Sequence, residues 1–374
     1  MSNWLADLIA KTGAIPFSKW MELALYHPEF GYYTSKENIF GTRGDFYTAP
    51  GVHSVFAETL AEYVWNCWQE TNDQAPLRII EMGAGNGKLA QGIIRHLTDT
   101  YQLSTSQFAY VIVEHSQVLA RMQQQTLESW QSYVTWAHTF SEIPPCDSVV
   151  LTNEVLDAFP VDIVRKMNDG WMQKWIDWDP SPSAFREVWR ELQDMQALEY
   201  METMQAAVNE EKQETFPYEW NRGMPKFVHD VDRVVRSGLV ITIDYGGDAE
   251  ELYGLHHPLG TVRSFFHHQV SNDVLANPGQ RDITADVDFS CLERLAQAHG
   301  WIRERYETQG RFLVHAGILN RLQDTFRQPY DDAARKRNMA IKHLILPGGM
   351  GDAFRVAVHR LPLNRPSSEE SACF

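Results

Sequence analysis

An apolar strand that ends on an acid and opens into a glycine-rich loop constrains this chain more than any other feature. The strand is predicted over Leu77–Glu81, and Gly83, Gly85 and Gly87 follow it in a turn without side chains. An amphipathic helix is predicted over Lys88–Leu97. Because glycine lets backbone N–H groups approach a ligand, this junction predicts a binding site for a nucleoside cofactor.

The spacing of the glycines argues against a nicotinamide dinucleotide. A dinucleotide loop reads G-x-G-x-x-G, and the position of its third glycine holds Lys88. A carboxylate at Glu81 would also repel a pyrophosphate, whereas it favours a cation. S-adenosylmethionine carries a sulfonium and an ammonium and has no phosphate, so it is the cofactor that these residues predict.

A second acid follows the next predicted strand. Phe108–Val113 is a short run rich in β-branched and aromatic residues, Glu114 follows it, and Ser116 can cap a helix that runs through Leu127. Glu114 is therefore predicted to accept hydrogen bonds from the ribose hydroxyls, each worth roughly 1.5–3 kcal/mol. Taken singly, the loop is a common turn and the acid a common helix-dipole partner, but their order and spacing together favour the cofactor site.

The composition predicts a folded, acidic protein of one elaborated domain or two. The chain has 374 residues, is 44% hydrophobic and carries a formal net charge of -16. This charge argues against nucleic acid and anionic membrane as partners and would attract a basic protein or peptide. No apolar run is long enough to be inserted through a bilayer.

The cysteines and the N-terminus complete this picture. The four cysteines are scattered without metal-ligand spacing, which predicts reduced thiols and neither a metal site nor a disulfide framework: Cys67, Cys146, Cys291 and Cys373. Met1–Thr12 has no apolar signal core and no Arg-rich amphipathic pattern, which predicts a cytoplasmic location.

Alternating strand and helix patterns predict an α/β protein with a parallel sheet, built in five segments. Tyr133–Ala137, Ser148–Thr152 and Leu239–Ile243 are further strand candidates, and Ala184–Lys212 is predicted as a helix in a Trp-rich stretch. That stretch is either core packing or a substrate lid. The predicted segments are an N-terminal helical cap (1–75), the first part of the core (76–163), an inserted subdomain (164–237), the rest of the core with a C-terminal lobe (238–362), and a flexible tail (363–374).

Several separated motifs together resemble the MidA-like methyltransferases. The blocks that carry this resemblance run from the cap to the C-terminal lobe: Tyr26–Pro28, Gly31–Tyr33, Gly44–Pro50, Glu81–Gly87, Val113–Glu114, Asn153–Val161, Asp244–Gly246 and Asp282–Phe289. The resemblance implies a Rossmann-like class I methyltransferase sheet and S-adenosylmethionine as cofactor. Mitochondrial members of the family methylate an arginine on a respiratory complex I subunit. This chain has Asp286 where we expect the family to favour His.

A group of polar residues follows the strand Ser148–Thr152, at the edge of the sheet where ligands bind. If this segment turns helical, Glu154 and Asp157 project on one face and form a paired acidic clamp for a guanidinium. We therefore predict these two acids as catalytic and Asn153 as a cofactor-binding residue. The alternatives are that Asn153 caps a helix whose N-terminus the acids stabilise, or that the acids contact the cofactor's ammonium.

The predicted cap supplies four further candidates for the cofactor site. Asp45, Phe46, Tyr47 and Thr48 could fold over the cofactor as a lid, or form a tight turn after Gly44. Asp244 ends another strand and is a weaker candidate.

The function that these residues favour is methyl transfer to a protein arginine. Methylation of a small molecule and a non-catalytic assembly factor are the alternatives.

Overall fold

The computed structural model describes residues 1–35, 53–72, 75–167, 170–207, 216–253, 257–266, 269–324 and 331–363. Their helices are α1 Ser2–Thr12, α2 Phe17–Tyr26, α3 Tyr32–Ser35, α4 Val55–Asn72, α5 Lys88–Tyr101, α6 Gln117–Thr126, α7 Met195–Ala207, α8 Met224–Val234, α9 Ala249–Leu252, α10 Phe289–Ala298, α11 Gln309–His315, α12 Asp332–Ile345 and α13 Met350–Ala353. Short 3₁₀ helices cover Glu128–Tyr133, Phe140–Glu142, Leu156–Ala158 and Ile318–Arg321.

The strands of the same residues are β1 Ile15–Pro16, β2 Leu77–Met82, β3 Phe108–Val113, β4 Val134–Ala137, β5 Cys146–Asn153, β6 Val161–Met167, β7 Gly170–Asp179, β8 Ala184–Glu191, β9 Tyr218–Asn221, β10 Val235–Gly247, β11 Arg263–Phe266, β12 Gln269–Ser271, β13 Asp282–Thr284, β14 Val287–Asp288, β15 Ile302–Thr308 and β16 Phe354–Leu361. The chain divides into two compact units. The first contains Met1–Ile39, Leu156–Phe227 and Gly246–Leu295, and the second contains Phe40–Val155, Val228–Tyr245 and Ala296–Phe374.

The second unit is built on one large sheet. Its strand order is β15-β16-β10-β5-β2-β3-β4, and only β16 runs antiparallel to its neighbours. The residues of the central strands are mostly buried, as those of parallel sheets are. Helices α4 and α5 pack so closely that a Cβ placed on Gly92 would lie 2.5 Å from the Ala57 Cβ. This arrangement confirms the predicted α/β sheet.

The parallel strands of this unit bring their carboxyl ends to one edge. In the register, Glu81 of β2 stands opposite Ile112 of β3 and Leu151 of β5. The residues that follow these three strands therefore emerge side by side. The predicted cofactor loop, Glu114 and Asn153 lie at this edge, so strand pairing alone explains their proximity.

The first unit is built on antiparallel sheets. One has the order β1-β7-β6-β9, with β8 paired to β7, and the other has the order β12-β11-β13. Ile15 of β1 pairs with Ile176 of β7, which joins the N-terminal helices to the Trp-rich segment. The buried Trp20 ring lies 4.6 Å from the Phe185 ring, centroid to centroid.

Two predictions about this region are wrong. Ala184–Lys212 was predicted as one helix, but Ala184–Glu191 forms strand β8, and a helix begins only at Met195. Pairing with β7 along its whole length stabilises β8, and a sequence pattern cannot report that contact. The N-terminal segment predicted as a helical cap also contains a strand, because β1 separates α1 from α2.

The two units cut across the predicted domain boundaries. The predicted cap, 1–75, divides between them, since α1–α3 belong to the first unit and α4 to the second. Most of the predicted insertion, 164–227, shares its unit with the N-terminal helices and with Gly246–Leu295, whereas its last residues, 228–237, belong to the second unit. The reason is strand pairing between segments far apart in the chain. The tail beyond Leu363 lies outside the described residues.

Candidate cofactor site

The glycine loop has a backbone that only glycine adopts easily. Gly83, Gly85 and Gly87 have φ of 67°, 53° and 79°, which is the left-handed region. A Cβ on Gly83 would lie 2.9 Å from Val155 Cγ2, and a Cβ on Gly87 would lie 3.3 Å from Gln123 Cα. The loop therefore needs glycine both for its conformation and for its close contacts with neighbouring segments.

Glu114 is held in place immediately after β3. Its Oε1 accepts a hydrogen bond from the Ser116 backbone N–H at 2.8 Å, and its Oε2 accepts one from Gln123 Nε2 at 2.9 Å. Burial raises the pKa of Glu114, while the hydrogen bonds from Ser116 and Gln123 act to lower it. Ser116 also caps α6 as predicted, since its Oγ accepts from the Leu119 N–H at 3.3 Å.

Sequence reasoning did not single out Gln123, which contacts two predicted site residues. Its side chain is fully buried and donates to the Gly85 carbonyl oxygen as well as to Glu114. One signal was available in the sequence. Gln123 follows Leu119 by four residues, so a glutamine stands on the buried face of an amphipathic helix.

The Glu81 carboxyl, which the sequence predicts to favour a cationic ligand, is buried. Its side chain lies within the sheet, and Tyr110 donates its hydroxyl hydrogen to Glu81 Oε2 at 2.8 Å. Burial raises the pKa of Glu81 to about 8, with the hydrogen bond from Tyr110 lowering it and the nearby Glu114 raising it. The carboxyl is therefore mostly protonated at pH 7, and a cation bound beside it would favour the charged form and lower this pKa.

Asn153 and Glu154 end strand β5 beside the glycine loop. Asn153 Nδ2 donates to Glu154 Oε1 at 3.1 Å, and among the described residues no donor reaches the buried Asn153 Oδ1. Glu154 has φ of 56°, and its N–H donates to the Ile243 carbonyl oxygen at 2.9 Å. A left-handed residue at this point is unusual for glutamate and is maintained by the surrounding structure.

The predicted helical clamp does not form. The left-handed backbone of Glu154 interrupts any helix, and only Leu156–Ala158 form a 3₁₀ turn, so the i and i+3 geometry assumed for Glu154 and Asp157 is wrong. Asp157 belongs to the first unit, where its backbone oxygen accepts from the Ala285 N–H at 2.9 Å.

The Asp157 side chain is buried near a charged pair. Arg263 Nη1 lies 2.6 Å from Asp286 Oδ1, so Asp286, where we expect the family to favour His, takes part in an ion pair. Burial raises the pKa of Asp157 to about 7, while Arg263 acts to lower it and Asp286 to raise it. Asp157 thus forms part of a buried group of charges within the first unit.

The remaining candidates are the predicted lid residues and Asp244. The candidate lid residues Asp45, Phe46, Tyr47 and Thr48 lie outside the described residues. Asp244 is buried at the end of β10, where its Oδ2 accepts from the Val155 N–H at 3.1 Å. It therefore supports the segment that carries Glu154.

The residues at this edge fit S-adenosylmethionine. The glycine loop has no side chains at Gly83, Gly85 and Gly87 to keep a ligand from its backbone, Glu114 offers a fixed carboxyl group for ribose hydroxyls, and the Asn153 Oδ1 offers an acceptor. The Methyltransf_28 family model, which describes an S-adenosyl-L-methionine-dependent methyltransferase, matches residues 59–306. The chain belongs to this methyltransferase family. Its cofactor is S-adenosylmethionine, and its reaction is methyl transfer.

The similarity of this methyltransferase to known proteins extends over nearly the whole chain. Protein arginine methyltransferase NDUFAF7, mitochondrial, is 27% identical in Danio rerio over 94% of this chain and 84% of that protein. The Homo sapiens protein of the same name is 27% identical over 95% of this chain and 82% of that protein. A COG1565 superfamily member from Burkholderia thailandensis, solved with S-adenosyl-homocysteine bound, is 31% identical, with a TM-score of 0.85 over 96% of this chain and 91% of that chain.

These comparisons correct one prediction. The cytoplasmic location predicted from the N-terminal residues is contradicted, because the curated relatives are mitochondrial proteins. Among the residues that the structure describes, no helix combines the length and the apolar character needed to cross a bilayer.

Proposed function

We propose that this methyltransferase transfers the methyl group of S-adenosylmethionine to a nitrogen of a protein arginine side chain. The observation that carries the proposal is the placement of Glu154. A carboxylate stands directly beyond β5, in a strained backbone conformation, beside the loop that holds the cofactor.

The position of Glu154 is set by its neighbours on both sides. The next residue, Val155, packs tightly on Gly83, because a Cβ added at Gly83 would lie 2.9 Å from Val155 Cγ2. The Glu154 N–H is bound to the Ile243 carbonyl oxygen, and the Val155 N–H is bound to Asp244. A left-handed glutamate costs roughly 1–3 kcal/mol, so a residue of this kind is a candidate for function.

Carboxylate chemistry suits an arginine acceptor. The guanidinium is planar and always charged, so a carboxylate can bind two of its N–H groups and orient the remaining nitrogen toward the methyl group. S-adenosylmethionine supplies a methyl group activated by its sulfonium. Glu114 would hold the ribose, the glycine loop would approach the cofactor through its backbone, and Asn153 Oδ1 would accept an N–H from cofactor or substrate.

Two further facts support a protein arginine as the acceptor. The curated relatives bear the name protein arginine methyltransferase. The net charge of -16 would attract a basic segment of a protein. The role predicted for Asp157 as partner of Glu154 has lost its helical basis, so the proposal rests on Glu154.

The test uses purified protein, S-adenosylmethionine with an isotopically labelled methyl group, and a cell lysate as the source of acceptors. We expect the label on arginine side chains when proteins are digested and mapped by mass spectrometry. A Gly85→Val variant, which cannot accommodate the left-handed loop, serves as the inactive control. Label that appears only on small molecules, or on residues other than arginine, would exclude the proposed acceptor.

A second experiment examines Glu154 itself. Glu154→Gln keeps the size and the hydrogen bond from Asn153 but removes the charge, so cofactor affinity should stay within about twofold while turnover falls about a hundredfold or more. Titration calorimetry and the label assay measure these two quantities. Unchanged turnover would remove Glu154 from the catalytic role.

A further inference from the structure

Gln123 connects the two parts of the cofactor site. Its Nε2 donates to the Gly85 carbonyl oxygen at 3.0 Å and to Glu114 Oε2 at 2.9 Å. Its Oε1 accepts from Trp136 Nε1 at 3.1 Å. The side chain is fully buried, so no water competes for these hydrogen bonds.

The orientation of this amide follows from its neighbours. An indole N–H is only a donor, so the amide oxygen of Gln123 must face Trp136. Both amide hydrogens are then directed at acceptors, one in the glycine loop and one on Glu114. The amide therefore cannot rotate by half a turn without placing its oxygen against two other oxygens.

The same helix holds the loop at two consecutive peptide groups. Gln123 binds the carbonyl oxygen of Gly85, and Thr126 Oγ1 donates to the carbonyl oxygen of Asn86 at 2.8 Å. Because a trans peptide group is planar, the Asn86 N–H points opposite to the Gly85 carbonyl, away from α6. The contact from Gln123 thus sets the direction of a loop N–H as well as the position of Glu114.

We propose that Gln123 is a positioning residue that couples the ribose-binding carboxyl of Glu114 to the glycine loop. The inference rests on the proposed roles of Glu114 and the loop in holding the cofactor. Without the amide, Glu114 keeps hydrogen bonds from backbone N–H groups, among them the one that the Ser116 N–H donates to its Oε1, but no side chain then ties it to the glycine loop. Affinity that depends on the ribose hydroxyls is then lost, because the carboxyl group no longer has one fixed orientation.

The test compares two ligands on matched variants. Titration calorimetry measures the affinity of S-adenosylhomocysteine and of its 2′,3′-dideoxy analogue, which lacks the ribose hydroxyls. The variants are Gln123→Met, which keeps the length of the side chain, and Trp136→Phe, which removes only the N–H that donates to the Gln123 amide oxygen. Gln91→Met is the control, because Gln91 Nε2 donates to the Thr126 carbonyl oxygen at 2.7 Å in the same region but does not contact Glu114.

We expect Gln123→Met to weaken the affinity for S-adenosylhomocysteine about tenfold and the affinity for the dideoxy analogue less than twofold. Trp136→Phe should weaken the affinity for S-adenosylhomocysteine about threefold. Gln91→Met should leave both affinities within twofold of the wild type. In a Glu114→Ala background, Gln123→Met should add less than twofold. Equal losses on the two ligands, or an unchanged affinity in Gln123→Met, would overturn the coupling while leaving the cofactor site in place. A wild-type protein that does not bind S-adenosylhomocysteine would overturn the cofactor site itself, and this inference with it.

Discussion

Glu114 in the second unit is a half-buried acid and Asp157 in the first is a buried one, and the two are held in different ways. Both oxygens of Glu114 accept hydrogen bonds from residues within the next ten of the chain, Ser116 and Gln123. Asp157 lies near Arg263 and Asp286, which come from a remote segment. The difference shows which acids can be located from the order of elements and which depend on pairing between distant strands.

The two units also differ in the groups that surround their acidic side chains. In the second unit, hydrogen-bond donors act on Glu114, and burial raises the pKa of Glu81 to about 8 although Tyr110 donates a hydrogen bond to it. In the first unit, Arg263 directly opposes the rise in the pKa of Asp157. Hydrogen bonds thus hold the Glu114 carboxyl, whereas a positive charge acts on the Asp157 carboxyl.

The largest expected effect is on cofactor binding by Glu114→Ala. Removing an acceptor for two ribose hydroxyls should cost about 3 kcal/mol or more, a loss of at least about a hundredfold in affinity. Titration calorimetry with S-adenosylmethionine measures it. Asp99→Ala, an acid on the exposed surface of α5, is the control and should bind as wild type does. A similar affinity in both variants would mean that Glu114 is only a structural acid.

The next effect concerns the charge of Glu81 and depends on pH. Its folded pKa of about 8 lies above its ordinary value of 4.5, so the folded state holds a proton that the unfolded state releases. Wild-type stability should therefore fall as pH rises from about 4.5 to about 8 through this group. Glu81→Gln mimics the protonated acid and should be more stable at pH 8.5 by on the order of 3 kcal/mol, and much less so at pH 4.5.

Urea unfolding at the two pH values measures the difference between the wild type and Glu81→Gln. The glutamine can still accept the hydrogen bond from Tyr110, so packing is preserved at both. A stability difference that does not change with pH would show that Glu81 is ionised in the folded protein, like an acid with ordinary exposure.

A smaller loss is expected from Arg263→Met in the first unit. This change leaves Asp286 and Asp157 without their nearest cation, and because the pair is only partly exposed we expect a loss of about 2 kcal/mol in the free energy of unfolding. The pKa of Asp157 should rise further. Arg294→Met breaks a more exposed pair with Glu199 and should cost less than about 0.5 kcal/mol. Equal costs in urea unfolding would contradict an internal role for the Arg263 charge.

The smallest effect separates stability from activity at Glu154. Glycine adopts φ of 56° without strain, so Glu154→Gly should raise the free energy of unfolding by about 1 kcal/mol while it removes the proposed acceptor-binding carboxylate. Thermal unfolding and the methyl-transfer assay measure the two quantities. Gln102→Gly, at another left-handed position with φ of 53°, should gain stability without loss of turnover. A loss of stability in Glu154→Gly would show that its side-chain contacts outweigh the strain.

Much of the second unit could be predicted from local patterns. Phe108–Val113 is a strand with the predicted bounds, β2 extends one residue beyond its predicted end, and the Ser116 cap is present. These elements depend on apolar runs, glycines and caps, which act over a few residues. The α/β sheet then follows because parallel strands joined by helices have few ways to pack.

Local sequence patterns could not predict the sheets of the first unit or the contacts within the site. Strand β8 exists because β7 pairs with it, and β7 in turn pairs with β1 near the N-terminus. The i and i+3 geometry expected of Glu154 and Asp157 failed because Glu154 is left-handed, a conformation set by contacts with β10. No pattern of neighbouring residues carries that information.

The amino-acid sequence by itself determined the glycine loop, the acid at or just beyond the end of each of two strands, and the family, because these features depend on residue type and short spacing. Tertiary structure alone decided that Glu81 is buried and mostly protonated, that Gln123 connects the loop to Glu114, and that Asp157 lies among charges of the first unit. Protonation and hydrogen bonding depend on which groups surround a side chain in space, and folding brings those groups from distant parts of the chain.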